Sequence, residues 1–157
     1  MRRNSRWLLY SLIWTVALVI TGCNRNIIYH HYEPTPLEGW EKSDTLRFTL
    51  PAAKKRSVVQ RDVELRISAN YPYQNITLIV EQTTLPANLF RRDTVNCRLF
   101  SPDGNVLGQG QSLYQFRFQM PDISLNEGDS LCIQVRHNMK REILPGIANV
   151  GIRLTAY

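Results

Sequence analysis

Apolar periodicity of the helical kind is missing from this chain. Outside the first residues, no window of useful length repeats apolar side chains at helical spacing. Histidine is scarce, with three residues, and His30-His31 and His137 join no cysteine or acid at metal-ligand spacing. Neighbouring histidines in a strand also point opposite ways, so a metal centre is not expected. No serine sits in an elbow that would expose a nucleophile. Gly108-Gln109-Gly110 is too short for a dinucleotide fingerprint and reads as a loop or bulge. The acids Asp44, Glu64, Glu81, Asp93 and Glu127 are scattered over strand ends and wet faces. A glycosidase pair among them has no sequence signature, because chain separation says nothing about distance in a sandwich. Neither enzymatic activity nor a cofactor is expected. Internal repeats and low-complexity segments are absent too.

Long hydrophobic runs are limited to Leu8–Ile20, behind Arg2, Arg3 and Arg6 and ahead of Ile20-Thr21-Gly22-Cys23. A positive start, an apolar stretch and a small-residue close make a secretory signal. The last four residues match the bacterial lipobox, in which the cysteine thiol takes a diacylglyceryl group and the peptide is cut before it. A membrane-spanning anchor with a chance cysteine is the competing reading, but the run is well short of the roughly 20 residues a spanning helix needs. Residues 1–22 are therefore read as a lipoprotein signal peptide, Cys23 as the lipidated residue and 23–39 as a tether. The tether carries Pro34 and Pro36 and has room for a short edge strand at Ile27-Ile28-Tyr29.

Removing the signal leaves 135 of the 157 residues, which fits one domain with a real core. The formal charge of +6 falls to +3, because three arginines leave with the signal and no acid does. Nucleic acid is not expected as a partner of an exported chain of such mild basicity. Cys97 and Cys132 remain in a compartment that permits disulfides. Strand parity sets Cys97 with Val95 and Leu99, and Cys132 opposite Leu131, Ile133 and Val135, so the two thiols face different sides.

From Trp40 onward the period is two. Apolar residues alternate with polar ones over Leu46–Leu50, Val63–Ala69, Ile76–Val80, Val95–Leu99, Tyr114–Met120, Leu131–Val135 and Val150–Leu154. In the fifth of these, Tyr114, Phe116 and Phe118 face inward and Arg117 faces water. One wet face per strand, with turns such as Pro102-Asp103-Gly104-Asn105 between them, predicts an all-β antiparallel sandwich over 40–157. Seven to eight strands are expected, and a jelly-roll-like order is one way to connect them.

Two binding features stand out. Lys54-Lys55-Arg56, with Arg61, lies between strands and suits an acidic partner or anionic lipid head groups, unless it is simply a solvated loop. Trp40, Tyr71 and Tyr73 stand at strand borders, where exposed rings would stack on sugars or dock a protein, and where rim packing is the ordinary alternative.

Read in order, several pieces resemble one family: Cys23; Trp40 with Asp44 and Phe48; Arg66; Tyr71-Pro72-Tyr73-Gln74-Asn75 leading into Leu78; and Asp93-Thr94. After them come Gly104, Gly108-Gln109-Gly110, Tyr114, Met139, Leu144-Pro145-Gly146-Ile147 and Val150-Gly151-Ile152-Arg153. The whole chain is similar to the gliding-motility lipoprotein H family, GldH, of Bacteroidetes. The resemblance implies a cell-envelope lipoprotein needed for gliding over surfaces, working beside other Gld proteins and the linked secretion machinery. It implies no active site. The anchor is expected to place the domain in the periplasm, on the outer rather than the inner membrane. A glycan-binding surface lipoprotein using Trp40, Tyr71 and Tyr73 is the alternative. Asp44-Thr45-Leu46, Asp93-Thr94-Val95 and Asp129-Ser130-Leu131 also resemble the periplasmic O-glycosylation site of that phylum, which marks Thr45, Thr94 and Ser130 as candidates. A hydroxyl residue opening a strand explains the same pattern.

Lipidation is testable directly. Cys23→Ala is expected to block signal processing, and metabolic labelling with a palmitate analogue should mark the wild type only. Equal labelling of the variant would contradict the lipoprotein reading.

Overall fold

Alternating side chains build ten strands in the computed structural model, which describes residues 26–36 and 38–157. The signal segment and Cys23 lie outside the described residues. The strands are β1 (Asn26–Pro34), β2 (Trp40–Glu41), β3 (Leu46–Leu50), β4 (Ser57–Ser68), β5 (Asn75–Leu85), β6 (Leu89–Arg98), β7 (Leu113–Leu125), β8 (Ser130–His137), β9 (Ile143–Leu144) and β10 (Ile147–Ala156). No helix forms among the described residues. One antiparallel sheet has the order β1-β10-β4-β7 and the other β3-β8-β5-β6, with β2-β9 as a small separate ribbon. The all-β sandwich is the one that period two predicts; without the ribbon, its eight remaining strands share two sheets in the order of a jelly roll, which the period alone left open.

The core fills the space between the sheets. Val63, Leu65 and Ile67 from β4, Leu78 and Val80 from β5, and Val150, Ile152 and Leu154 from β10 are all fully buried. Each set recurs at every second position, which is what a pleated strand with one inward face requires. Phe116 is buried and Phe118 half-buried, so β7 has the expected parity but opens at Phe118. Cys97 is buried and free, with its pKa pushed up to about 12 by burial, whereas Cys132 is free on the outer side of β8.

The segment expected as a tether is largely a strand. Its nine-residue stretch Asn26–Pro34 pairs with β10 from Asn26↔Ala156 to Pro34↔Asn149. Without it β10 would be an open edge, with a row of unpaired backbone groups exposed to other chains. Asn26–Pro34 therefore belongs to the folded unit, ahead of Trp40. The bulge between Ile27 and Tyr29 adds one residue to the strand, and prolines 34 and 36 end it.

Arg61 also differs from expectation. β4 begins at Ser57 rather than Val63, so Arg61 has the parity of Val59 and Val63 and is fully buried instead of joining the Lys54–Arg56 loop. Its guanidinium donates through Nε to the Pro121 carbonyl (2.9 Å), through Nη1 to Gln82 Oε1 (3.1 Å) and through Nη2 to Asp93 Oδ2 (2.7 Å). Every buried side-chain nitrogen and oxygen among the described residues has a partner, so this charge is accommodated rather than stranded. Arg61→Ala should cost about 3–5 kcal/mol in chemical denaturation, because it leaves Asp93 without its main counterion. Replacing Arg61 and Asp93 together by methionine and leucine should cost markedly less. Equal losses would mean that packing, not charge compensation, sets the effect.

Candidate functional site

Four strands bring one polar row together on the outer face of the first sheet. The register places Tyr32 opposite Gly151, Gly151 opposite Glu64, and Glu64 opposite Arg117. Gly151 has no side chain, so the Tyr32 ring crosses over β10 and reaches β4. A Cβ at Gly151 would lie 2.7 Å from two carbons of that ring. A strand-interior glycine marking a close approach is a signal the sequence contains.

Glu64 is therefore fully buried although its parity is that of the wet face. The Tyr32 hydroxyl donates to Oε2, His30 Nε2 donates to the same oxygen at 2.9 Å, and Arg117 Nε donates to Oε1 at 2.6 Å. Gln115 Nε2 donates to the Tyr32 hydroxyl (2.9 Å), and the Arg66 guanidinium stacks 3.9 Å from the centre of the Tyr32 ring. Burial by itself would raise the Glu64 pKa. The bonds from Tyr32, His30 and Arg117 outweigh it and hold the carboxyl below its ordinary 4.5. Tyr32 is pushed up to about 12, by burial first and then by Glu64, so it stays a donor. An ionised acid with both oxygens engaged and no solvent contact acts as a latch that fastens β1 across β10 to β4. Glu64, expected as a wet-face acid, is thus covered on that face, whereas Arg117 does face water as expected and donates to Glu64 from there.

Beyond Arg117 a groove of about 610 Å³ runs along the open edge of β7, lined by Arg98, Leu107, Gln109, Phe116 and Phe118. The Phe116 and Phe118 rings lie nearly parallel with centroids 6.3 Å apart. Two guanidinium groups beside an aromatic wall suit a carboxylate-bearing or aromatic contact. Sequence reasoning missed this groove, because β6 and the loop after it meet β7 only in three dimensions. No grouping of three potential metal ligands occurs among the described residues.

The other predicted residues fall elsewhere. Trp40 is fully buried, donates from Nε1 to the Asp44 carbonyl (3.1 Å) and packs edge-on against His137 at 5.2 Å. Tyr71 is buried, donates to the Asn75 carbonyl (2.8 Å), and meets the half-buried Tyr73 at 5.7 Å. Neither Trp40 nor Tyr71 presents a face to a sugar, since the β2-β9 ribbon and the turn after β4 fold these border residues into the end of the core. Lys54, Lys55 and Arg56 are exposed in the β3–β4 loop, at the opposite end. Thr94 is exposed on the edge strand β6, and Thr45 and Ser130 are half-buried beside β3 and at the start of β8. His30 and His31 point to opposite sides: His30 reaches Glu64, and His31 reaches Glu33 at 3.0 Å.

The latch yields a measurable expectation. Arg117→Ala should cost about 1–3 kcal/mol, because a buried carboxylate loses a partner, where a free surface arginine would cost only about 0.5 kcal/mol. The contribution of Glu64 is present above its ordinary 4.5 and is lost as pH falls through its lower folded value. Gly151→Ala should displace Tyr32 and speed amide exchange in residues 26–34 while β4 and β5 stay protected. Uniform loss of protection would contradict the latch.

A family profile described as GldH lipoprotein matches residues 27–154. Gliding motility lipoprotein GldH of Flavobacterium johnsoniae is 27% identical over 99 residues, covering 63% of this chain and 61% of that protein. The match thus spans about three fifths of that relative's length. The gliding motility lipoprotein GldH homolog of Christiangramia forsetii is 23% identical over 163 residues, 96% of each chain. Among solved structures, a 4-O-methyl-alpha-glucuronidase with specificity for decorated arabinogalactans aligns at TM-score 0.46 and 14% identity, over 84% of this chain and 18% of that one. A carbohydrate-binding module specific for non-crystalline cellulose aligns at TM-score 0.41 and 11% identity, over 81% and 72% of the two chains. Alignments this loose carry no argument about ligands. The profile match takes in both sheets of the sandwich from β1 to β10, and on that ground the chain belongs to the GldH lipoprotein family.

Proposed function

We propose that this protein is a lipid-anchored, non-enzymatic component of the gliding apparatus, or of the secretion machinery linked to it, held on the periplasmic side of the outer membrane through Cys23. The observation that carries the reading is the family match over residues 27–154, together with two relatives whose names link them to gliding motility. The chemistry of the acids supports it. Glu64 is sealed under Tyr32, Asp93 is held by Arg61 and Arg91, and Glu81 is held by Arg92, so three of the five scattered acids have structural work. A component of this kind acts through a contact surface, where a few aromatic and arginine anchors carry most of the binding. The groove of Arg98, Arg117 and Phe118 has that composition. The glycan-binding alternative is weakened, because Trp40 and Tyr71 are in the core.

Deleting the gene should abolish surface spreading in a gliding host, or secretion of the linked cargo in a non-gliding one. Complementation with Asp44→Ala or Glu127→Ala at matched protein level should restore it. Failure of either variant, with the protein folded and abundant, would overturn the non-enzymatic reading. Specific binding on a polysaccharide panel would favour the alternative.

A further inference from the structure

The two ends of the sandwich differ in what they expose. One end gathers the start of β1, the β3–β4 loop, the β5–β6 hairpin and the β7–β8 turn, as the registers Asn26↔Ala156, Val59↔Ala156, Leu50↔Leu131 and Thr84↔Leu89 require. Exposed large apolar side chains concentrate there: Ile27, Ile28, Val58, Leu85, Leu89 and Phe90, with Leu89 at 64% and Phe90 at 62% exposure. Tyr157 adds a further ring at 66%. The opposite end and its loops expose Leu107, Leu113 and Ile143, which are scattered. An apolar cleft of about 470 Å³ opens at the first end, floored by Ile28, Leu50, Ala53 and Ala156 and rimmed by Lys54 and Lys55.

Cys23 stands three residues before Asn26. Whatever path those residues take, they span at most about 11 Å. A lipid on Cys23 therefore ties its bilayer to within about 11 Å of Asn26, at the end that carries the exposed apolar side chains. We infer that this end is the membrane-resting face of the protein, with Leu85, Leu89 and Phe90 of the β5–β6 hairpin and Ile28 of β1 entering the interfacial zone of the bilayer. The inference rests on the lipidation of Cys23. Clustered apolar side chains on a soluble domain mark a contact surface, and the interfacial zone accepts such side chains while lysine and arginine reach up to the head groups. Lys54, Lys55 and Arg56 are placed to do this. Glu127 and Asp129 in the neighbouring turn offset their charge, so apolar contact rather than attraction to anionic lipid carries the binding. The latch at Glu64 gives the arrangement its rigidity, because it fixes the strand from which the anchor emerges.

After signal removal Trp40 is the sole native tryptophan, and it is buried at the far end. The lipidated full-length protein carrying Phe90→Trp, and separately Leu107→Trp, can be reconstituted in phosphatidylcholine vesicles brominated in the acyl chains. The emission added at position 90 should shift to the blue and be lost to bromine quenching, and the emission added at 107 should do neither. Mass spectrometry and vesicle flotation of the same samples report the lipid independently. A protein without the lipid overturns both readings. A lipidated, floating protein with no quenching at position 90, or with equal quenching at both positions, overturns the membrane face alone. Shielding of position 90 from aqueous iodide without bromine quenching would show a protein partner or a second copy covering this end, and would equally overturn it.

Discussion

The carboxylate of Glu64 is the constraint on which the placement of the N-terminal strand depends. β1 is an edge strand joined to the sandwich on one side only, and much of its surface stays exposed. Backbone pairing with β10 supplies a ladder, but β10 alone would leave β1 free to fray as a terminal segment does. Tyr32 and His30 instead reach past β10 to a buried charge on β4. Losing β1 would strip that charge of two donors, and an undersatisfied buried carboxylate is costly. Electrostatics thus couples the first strand to the centre of its sheet, where apolar burial alone would couple it weakly.

Arg61 does the complementary work inside. It crosses the gap between the sheets from β4 to β5 and β6, while Glu64, three residues on, fastens neighbours on the outer face. One strand therefore carries the buried charge on each side of its sheet. Polar pairs of this sort add little net stability over a well-packed apolar replacement. What they impose here is register: slipping β4 by one residue would turn Arg61 to water and Glu64 into the core.

Strand alternation made much of the fold legible. Leu46–Leu50 matches β3 in full, four further apolar runs fall within longer strands, and Val63–Ala69 and Val95–Leu99 overrun β4 and β6 by one residue each, because a one-sided sheet writes its burial into every second residue. The exceptions share a physical origin. Glu64 is written like a wet-face residue, and only Gly151 hints that a ring from another strand covers it. Arg61 sits at an inward position but lies beyond the run of apolar neighbours that defined the strand. Trp40 and Tyr71 were read as rim residues, since their burial depends on how the β2-β9 ribbon and the turn after β4 close one end. β1 lacks strong apolar alternation because its outer side chains serve a polar latch. In each case local pattern was overridden by contacts between segments far apart in the chain.

The asymmetry of the two ends bears on how such a protein would work. The groove of Arg98, Leu107 and Phe118 lies along the β7 edge and the loops at the end away from β1's start. With the anchor end resting on a bilayer, the length of the strands lifts this groove off the surface. From Leu125 at the anchor end, the groove residues Phe118 to Gln115 stand seven to ten residues up β7, about 23–33 Å at roughly 3.3 Å per residue. A rigid spacer of that height presents a contact surface at a set distance from the membrane without a flexible linker, and it needs β1 fastened along its whole length. A mobile tether would hold the same groove at no fixed height. The buried latch and the exposed groove are two parts of one arrangement, joined through Arg117, which donates to Glu64 and also lines the groove. Occupation of the groove by an acidic group would compete for that guanidinium, and so would be felt at the strand that carries the anchor.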